Sequence, residues 1–396
     1  MIRAALAFIL CAVLGTAALA VSPSQNLIME LPHSRAPASP PPPPGKCPYA
    51  AAGFADGCAG AVAGTPQNPT LLKQYGANRP PWNVAGVDYA VGQSGPMLDP
   101  SVPGNLPACA SYSPLAPQNF VFVNSVPCTL ANLDFSKQGG ICLYTSSTIP
   151  ASGTLTLTND YFYAGPNCSP NGGGLILIRD NINLVVTYST LDSAYNPLIQ
   201  GIIIKETNVG DVTLKYNSFL HTSTTTWSLG GSGTYTVKYN YAQGIGESPT
   251  HSDWFIVFGD PAGVAVNEAF NLVDSDPSGC CATALCYISP NHQGPLSGGC
   301  QNDVYITSVS TQPGAANGLG TVSLPVRIEP NGLAGPFTIS NIYMDLAGVS
   351  VGYGLGASTS AGYAPPAVTC TGNKNLVTGA PITAVFGSGA AWMICH

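Results

Sequence analysis

The chain has 396 residues, of which 12 are Lys or Arg and 19 are Asp or Glu, so only 8% is charged against roughly 25% in a typical soluble domain. Coiled coils and long solvated helices need many exposed Glu and Lys, and disordered polyelectrolytes need high net charge per residue, so both are excluded. The formal net charge of -7 argues equally against nucleic acid as a partner, because phosphates are bound by clustered Lys and Arg.

Residues 1–20 read as a signal peptide, with Arg3 as a short positive region, Ala4 to Leu14 as an apolar region, and Ala18-Leu19-Ala20 as a small-x-small cleavage site. Gly15 and Thr16 interrupt the apolar stretch, which falls short of the roughly 20 residues that a span requires. No second apolar run of that kind follows, so the mature chain is expected to start near Val21, to be secreted or periplasmic, and to have no membrane span. Cleavage also removes Cys11 from the 13 cysteines, and an even number in an exported chain favours disulfides. Spacing suggests local pairs: Cys47 with Cys58, two links among Cys109, Cys128, Cys142 and Cys168, two among Cys280, Cys281, Cys286 and Cys300, and Cys370 with Cys395. Zinc is the alternative for the Cys280 to Cys300 group, but Cys280-Cys281 lacks the C-x-x-C spacing of thiolate sites, and no metal or cofactor is expected.

Residues 21–46 form a Pro-rich linker around Pro40-Pro41-Pro42-Pro43-Pro44, a stiff polyproline II spacer. Residues 47–170 read as an irregular, Cys-containing N-terminal segment with short strand-like pieces such as Phe120-Val-Phe-Val123 and Thr154-Leu-Thr-Leu-Thr158. From Gly174 onward short β-branched strands recur. Val186-Thr-Tyr-Ser-Thr-Leu191, Leu214-Lys-Tyr-Asn-Ser-Phe219 and Val237-Lys-Tyr-Asn-Tyr-Ala242 superpose, and Ala269-Phe-Asn-Leu-Val273 continues the series. A second family of strands lies between them: Leu175-Ile-Leu-Ile178, Gly201-Ile-Ile-Ile204, Thr226-Trp-Ser-Leu229 and Trp254-Phe-Ile-Val257.

A repeat of two or three short strands with no helix predicts an all-β fold, a right-handed parallel β-helix (solenoid) over residues 171–368, closed by a C-terminal cap at 369–396. Asn217, Asn240 and Asn271, with Ser189 in the earliest coil, are expected at a corner whose backbone is left-handed. A propeller repeats at about 40 residues or more, and a sandwich has no reason to repeat Lys-Tyr-Asn.

The densest polar cluster is Glu247-Ser-Pro-Thr-His-Ser-Asp253, just before the Trp254 strand. His251 and Asp253 are the candidate catalytic residues, as base and acid on a sugar ring. Arg179, Lys205, His221 and Trp227 are candidates for substrate binding on stacked coils, whose equivalent positions lie roughly 5 Å apart. The competing explanations are structural: turn hydrogen bonds for His251 and Asp253, local ion pairs for Arg179-Asp180 and Lys205-Glu206, and packing for Trp227 and Trp254.

The stretch His251-Ser-Asp-Trp-Phe-Ile256, followed by Val264-Ala-Val266, resembles a coil of the bacterial right-handed parallel β-helix proteins of the pectate-lyase-like superfamily. That coil carries a His-x-Asp-Gly-Ile-Gln strand followed by Val-x-Ile-x-x-Asn. His251 and Asp253 match, while Trp254 stands for Gly and Ile256 for Gln. The superfamily contains polysaccharide lyases, hydrolases and epimerases, and also non-catalytic adhesins. The resemblance therefore implies a polysaccharide or cell-surface glycan as partner. A lyase would use Lys205 or Arg179 to neutralise a uronate carboxylate and His251 to take the adjacent proton. The alternative is a non-catalytic structural or adhesion module whose coils form a stiff rod.

Overall fold

The computed structural model of the chain describes residues 53–54, 57–146, 149, 152–168, 173–205, 210–222, 224–245, 252–258, 263–275, 282–284, 286–288, 296–306, 326–328, 334–347, 355–358, 368–382 and 392–393. Within them the chain visits three sheets in turn. One coil runs through Gly173–Ile178 in the first sheet, Asn183–Thr187 in the second and Thr190–Asp192 in the third. It then re-enters the first sheet at Ile199–Lys205, parallel to the strand it started from. The three sheets hold 11, 9 and 8 strands. All pairings are parallel except at the two ends of the first sheet. There Ala110–Leu115 pairs antiparallel with Gln118–Val123, and Trp392–Met393 pairs antiparallel with Leu355–Ser358.

The repeat seen in the sequence is the passage from the second sheet to the third. Val186, Leu214 and Val237 are register partners in the second sheet, and Leu191, Phe219 and Ala242 in the third. All six are fully buried, so each coil lays an apolar residue on its neighbour in the interior.

Coils also occupy regions expected to be irregular. Gln118–Val123 pairs in parallel with Cys142–Thr145, Cys128–Ala131 with Thr154–Thr158, and Tyr161–Tyr163 with Thr190–Asp192. Stacking therefore begins well before residue 171. Pro and Gly fill the corners there in no fixed pattern, so the short alternating strands do not recur as a recognisable unit. At the other end Val368–Thr371 and Lys374–Asn375 add a further strand to the second and third sheets, inside the stretch expected to act only as a cap. Among the cysteines, Cys109 pairs with Cys128 and Cys142 with Cys168, two links within the expected group of four. Cys58, Cys300 and Cys370 are disulfide-bonded too.

The corner between the second and third sheets departs from expectation in an instructive way. The left-handed residue is the one before each Asn or Ser: Tyr188, Tyr216, Tyr239 and Phe270 have φ of 53°, 58°, 59° and 61°. Their rings stack outside the coils with centroids 5.1–5.3 Å apart, which offsets part of the roughly 1–2 kcal/mol that a left-handed L-residue costs. Asn217, Asn240 and Asn271 point inward and are fully buried. The backbone N–H of Ser189 donates to Asn217 Oδ1 at 3.0 Å, that of Asn217 to Asn240 at 2.9 Å, that of Asn240 to Asn271 at 3.0 Å, and that of Asn271 to Asp303 at 2.7 Å. Each Asn Nδ2 also donates to a backbone carbonyl, so the ladder satisfies backbone groups that the corner takes out of the sheets.

Residues 57–98 form a strap laid along this corner and the outer face of the third sheet. Trp82 meets Phe270 and Tyr343 edge-on at 6.0 and 5.1 Å, and the Tyr75 hydroxyl donates to Asp345 Oδ2 at 2.6 Å. Further along, the N–H of Gly92 donates to the Tyr216 carbonyl and that of Leu98 to the Asn132 carbonyl. Gly86 has φ of 73°, and a Cβ on it would come within 2.3 Å of the Tyr241 ring, so strap and sheet approach there as closely as backbone allows.

Candidate functional site

Register aligns one outward column of the first sheet: Phe122, Tyr144, Leu177, Ile204, Ser228 and Ile256. At its N-terminal end the column carries the half-buried rings Phe122 and Tyr144, backed by the buried Phe120. Phe120 stacks with Phe122 at 5.5 Å between centroids and lies 5.0 Å from Tyr144. The exposed Arg179 places its guanidinium carbon 5.8 Å from the Tyr144 centroid, a cation–π geometry. The Arg179 N–H donates to Thr145 Oγ1 at 2.8 Å, which fixes the chain just after the strand. Burial pushes the Tyr144 phenol up to about 12 against the opposing pull of Arg179, so at ordinary pH the hydroxyl is a neutral hydrogen-bonding group.

Three of the six expected site residues are buried instead. Trp227 is fully buried and stacks on Phe255 at 4.3 Å, with Trp254 edge-on at 6.1 Å, so its ring serves the core. Lys205 is fully buried as well. It pairs in register with Ile178 and Leu229, two positions after the inward Ile203, so strand alternation turns it into the coil. Asp253 is also fully buried, on the short strand Ser252–Asp253. His251 lies outside the described residues. The pairing of cation and base expected along one groove is thus not assembled among the described residues, because ladder pairing extends through Lys205 and carries it inward.

His221 belongs to a different corner. It is the penultimate residue of the third-sheet strand Ser218–Thr222, with Nδ1 3.0 Å from Asp192 Oδ1 on the preceding coil and its ring 4.9 Å from that of Tyr195. Asp192 also accepts the Ala194 N–H at 2.7 Å, and Ser193 Oγ donates to the His221 carbonyl. The His221 side chain is 39% exposed. His221 precedes the first-sheet strand Thr225–Gly230, whereas Arg179 follows the strand Gly173–Ile178, so the two sit at opposite ends of the first sheet's strands. Sequence reasoning missed Phe122, Tyr144 and Asp192. The alternation in Phe120-Val-Phe-Val123 was the available signal for the ring pair, and extension of the repeat from Leu191 to the next residue was the signal for Asp192.

Among the described residues no group of three or more His, Cys, Asp or Glu could hold a metal ion, and no helix is long and apolar enough to cross a membrane. No family model, curated protein or solved structure matches the chain.

Proposed function

We propose that the chain is an exported, right-handed parallel β-helix protein that binds polysaccharide along the outer face of its first sheet. The observation that carries this reading is the pair of half-buried rings Phe122 and Tyr144, backed by the buried Phe120, with Arg179 over Tyr144. Flat aromatic faces take the C–H faces of sugar rings, and a guanidinium pairs with a uronate carboxylate through two N–H groups. Strand spacing of roughly 4.8 Å sets these groups in a row, a geometry suited to a linear chain of sugars. The two disulfides within the coils agree with an oxidising compartment. Binding is favoured over cleavage because Lys205 and Asp253 lie inside the coil, out of reach of a glycan on the surface.

Affinity electrophoresis of the mature chain in gels holding a uronate polymer or a neutral polysaccharide tests this. Retention by the uronate polymer is expected, weakened roughly tenfold in Arg179→Ala, equivalent to one charge-assisted pair. Tyr144→Ala weakens retention on both polymers, and His221→Ala leaves it unchanged. Undiminished retention in the Arg179→Ala/Tyr144→Ala double variant sinks the assignment. No retention of the parent on any glycan favours the stiff, non-catalytic module.

A further inference from the structure

The aliphatic column of the second sheet contains one anomaly. Val186, Leu214 and Val237 are followed in register by Glu268, then Cys300 and Ile339. On the next coil the inward corner ladder ends its run of asparagines with Asp303. Both carboxyl groups are fully buried, and so is Tyr305 two residues on. Each carboxyl uses one oxygen: Glu268 Oε1 accepts the Trp254 indole N–H at 2.6 Å, and Asp303 Oδ1 accepts the N–H and Nδ2 of Asn271 at 2.7 and 3.1 Å. Glu268 Oε2, Asp303 Oδ2 and the Tyr305 hydroxyl have no partner. Orphan oxygens on two buried neighbouring acids are intolerable if both are ionised, and become tolerable when a proton sits on the pair.

The geometry points to Glu268 and Asp303 as a proton-holding pair inside the coil, which locks adjacent coils together in acidic surroundings and loosens them as the surroundings turn alkaline. The groups around the pair agree. Burial and mutual repulsion hold Glu268 well above the usual carboxylate range, with only the Trp254 hydrogen bond opposing. Burial does the same for Asp303 against the Asn271 hydrogen bonds and the charge of Lys238. Tyr305 is kept neutral by burial and by both acids. Folded acids that titrate above their unfolded range stabilise the fold fully in acid, and this stability is lost as pH rises towards the folded range. The device is independent of the glycan reading.

Urea unfolding of the mature chain from about pH 5 to about pH 9 tests the inference. The midpoint is expected to fall with pH, and Asp303→Asn to make that fall clearly shallower, since asparagine is already the ladder residue in three preceding coils. Glu268→Gln is expected to do the same. A fall equal to the parent's in Asp303→Asn overturns the proposal. Infrared spectroscopy supplies a readout independent of stability. A protonated carboxyl band that Glu268→Gln removes is expected in the parent just above the usual carboxylate range, and a parent spectrum there that Glu268→Gln leaves unchanged overturns the proposal.

Discussion

At the scale of single residues, the molecule concentrates its few charges where they have consequences. Asp160 occupies the ladder position before Ser189: its Oδ1 accepts the Leu133 N–H at 2.8 Å, and its own N–H donates to Ser189 Oγ at 3.1 Å. Burial raises it to about 7 despite the Leu133 hydrogen bond, so it is protonated in the folded chain under acid conditions. Its folded value exceeds its unfolded one, so its contribution is complete below about pH 4 and is lost as pH climbs to about 7. Asp160→Asn keeps the acceptor and removes the charge. Denaturant midpoints are expected to fall less steeply over that window in the variant than in the parent, and an unchanged slope would contradict the assignment. Glu268 and Asp303 also lose their contribution from the unfolded carboxylate range upward, so the two effects are told apart by the variants and not by pH.

At the scale of the element, the asparagine ladder and the aromatic stack are two faces of one corner. The left-handed backbone at Tyr216 and Tyr239 turns their rings out and the next residue's amide in. Removal of one amide therefore strands several groups. Asn240 Oδ1 accepts from Asn217, and its Nδ2 donates to the Leu214 carbonyl at 3.0 Å. Asn240→Ala leaves buried donors and an acceptor without partners, at about 1–3 kcal/mol each. A loss of roughly 3 kcal/mol or more in unfolding free energy is expected from urea titration, with the fold's circular dichroism retained at low urea. Tyr216→Leu, by contrast, removes an outer stack and a strap contact without touching the ladder.

At the scale of the whole molecule, the part most legible in the sequence was the part that repeats. Lys-Tyr-Asn recurs because that corner needs an outward ring followed by an inward amide, and the recurrence alone placed Val186, Leu214 and Val237 in one column. The earlier coils were not legible, since their corners carry Pro and Gly in no fixed pattern. Arg179 was legible as an exposed cation. Lys205 was not, because a Lys after an aliphatic run looks like a strand end, while the ladder continues through it and strand parity decides its face. Tyr144 escaped notice for a related reason: it lies in a four-residue strand, and only pairing with Phe122 and Leu177 shows that it faces out. The scarcity of charge also gains a cause, because stacked coils satisfy their backbone through ladders and need few ionic side chains.

The reversed strand at the start of the first sheet bears on how such a body avoids growing without limit. A stack of parallel strands is a template at each end, and identical chains could add to it one after another as in a fibril. Ala110–Leu115 runs against that direction and carries Pro114, which has no N–H to offer. A reversed strand with a proline is a poor template for a further parallel strand on this sheet. Deletion of residues 110–115 is expected to bare Gln118–Val123 and produce concentration-dependent end-to-end assembly, measured by light scattering. A deletion variant that scatters like the parent at all concentrations would show that the pole is guarded by something else.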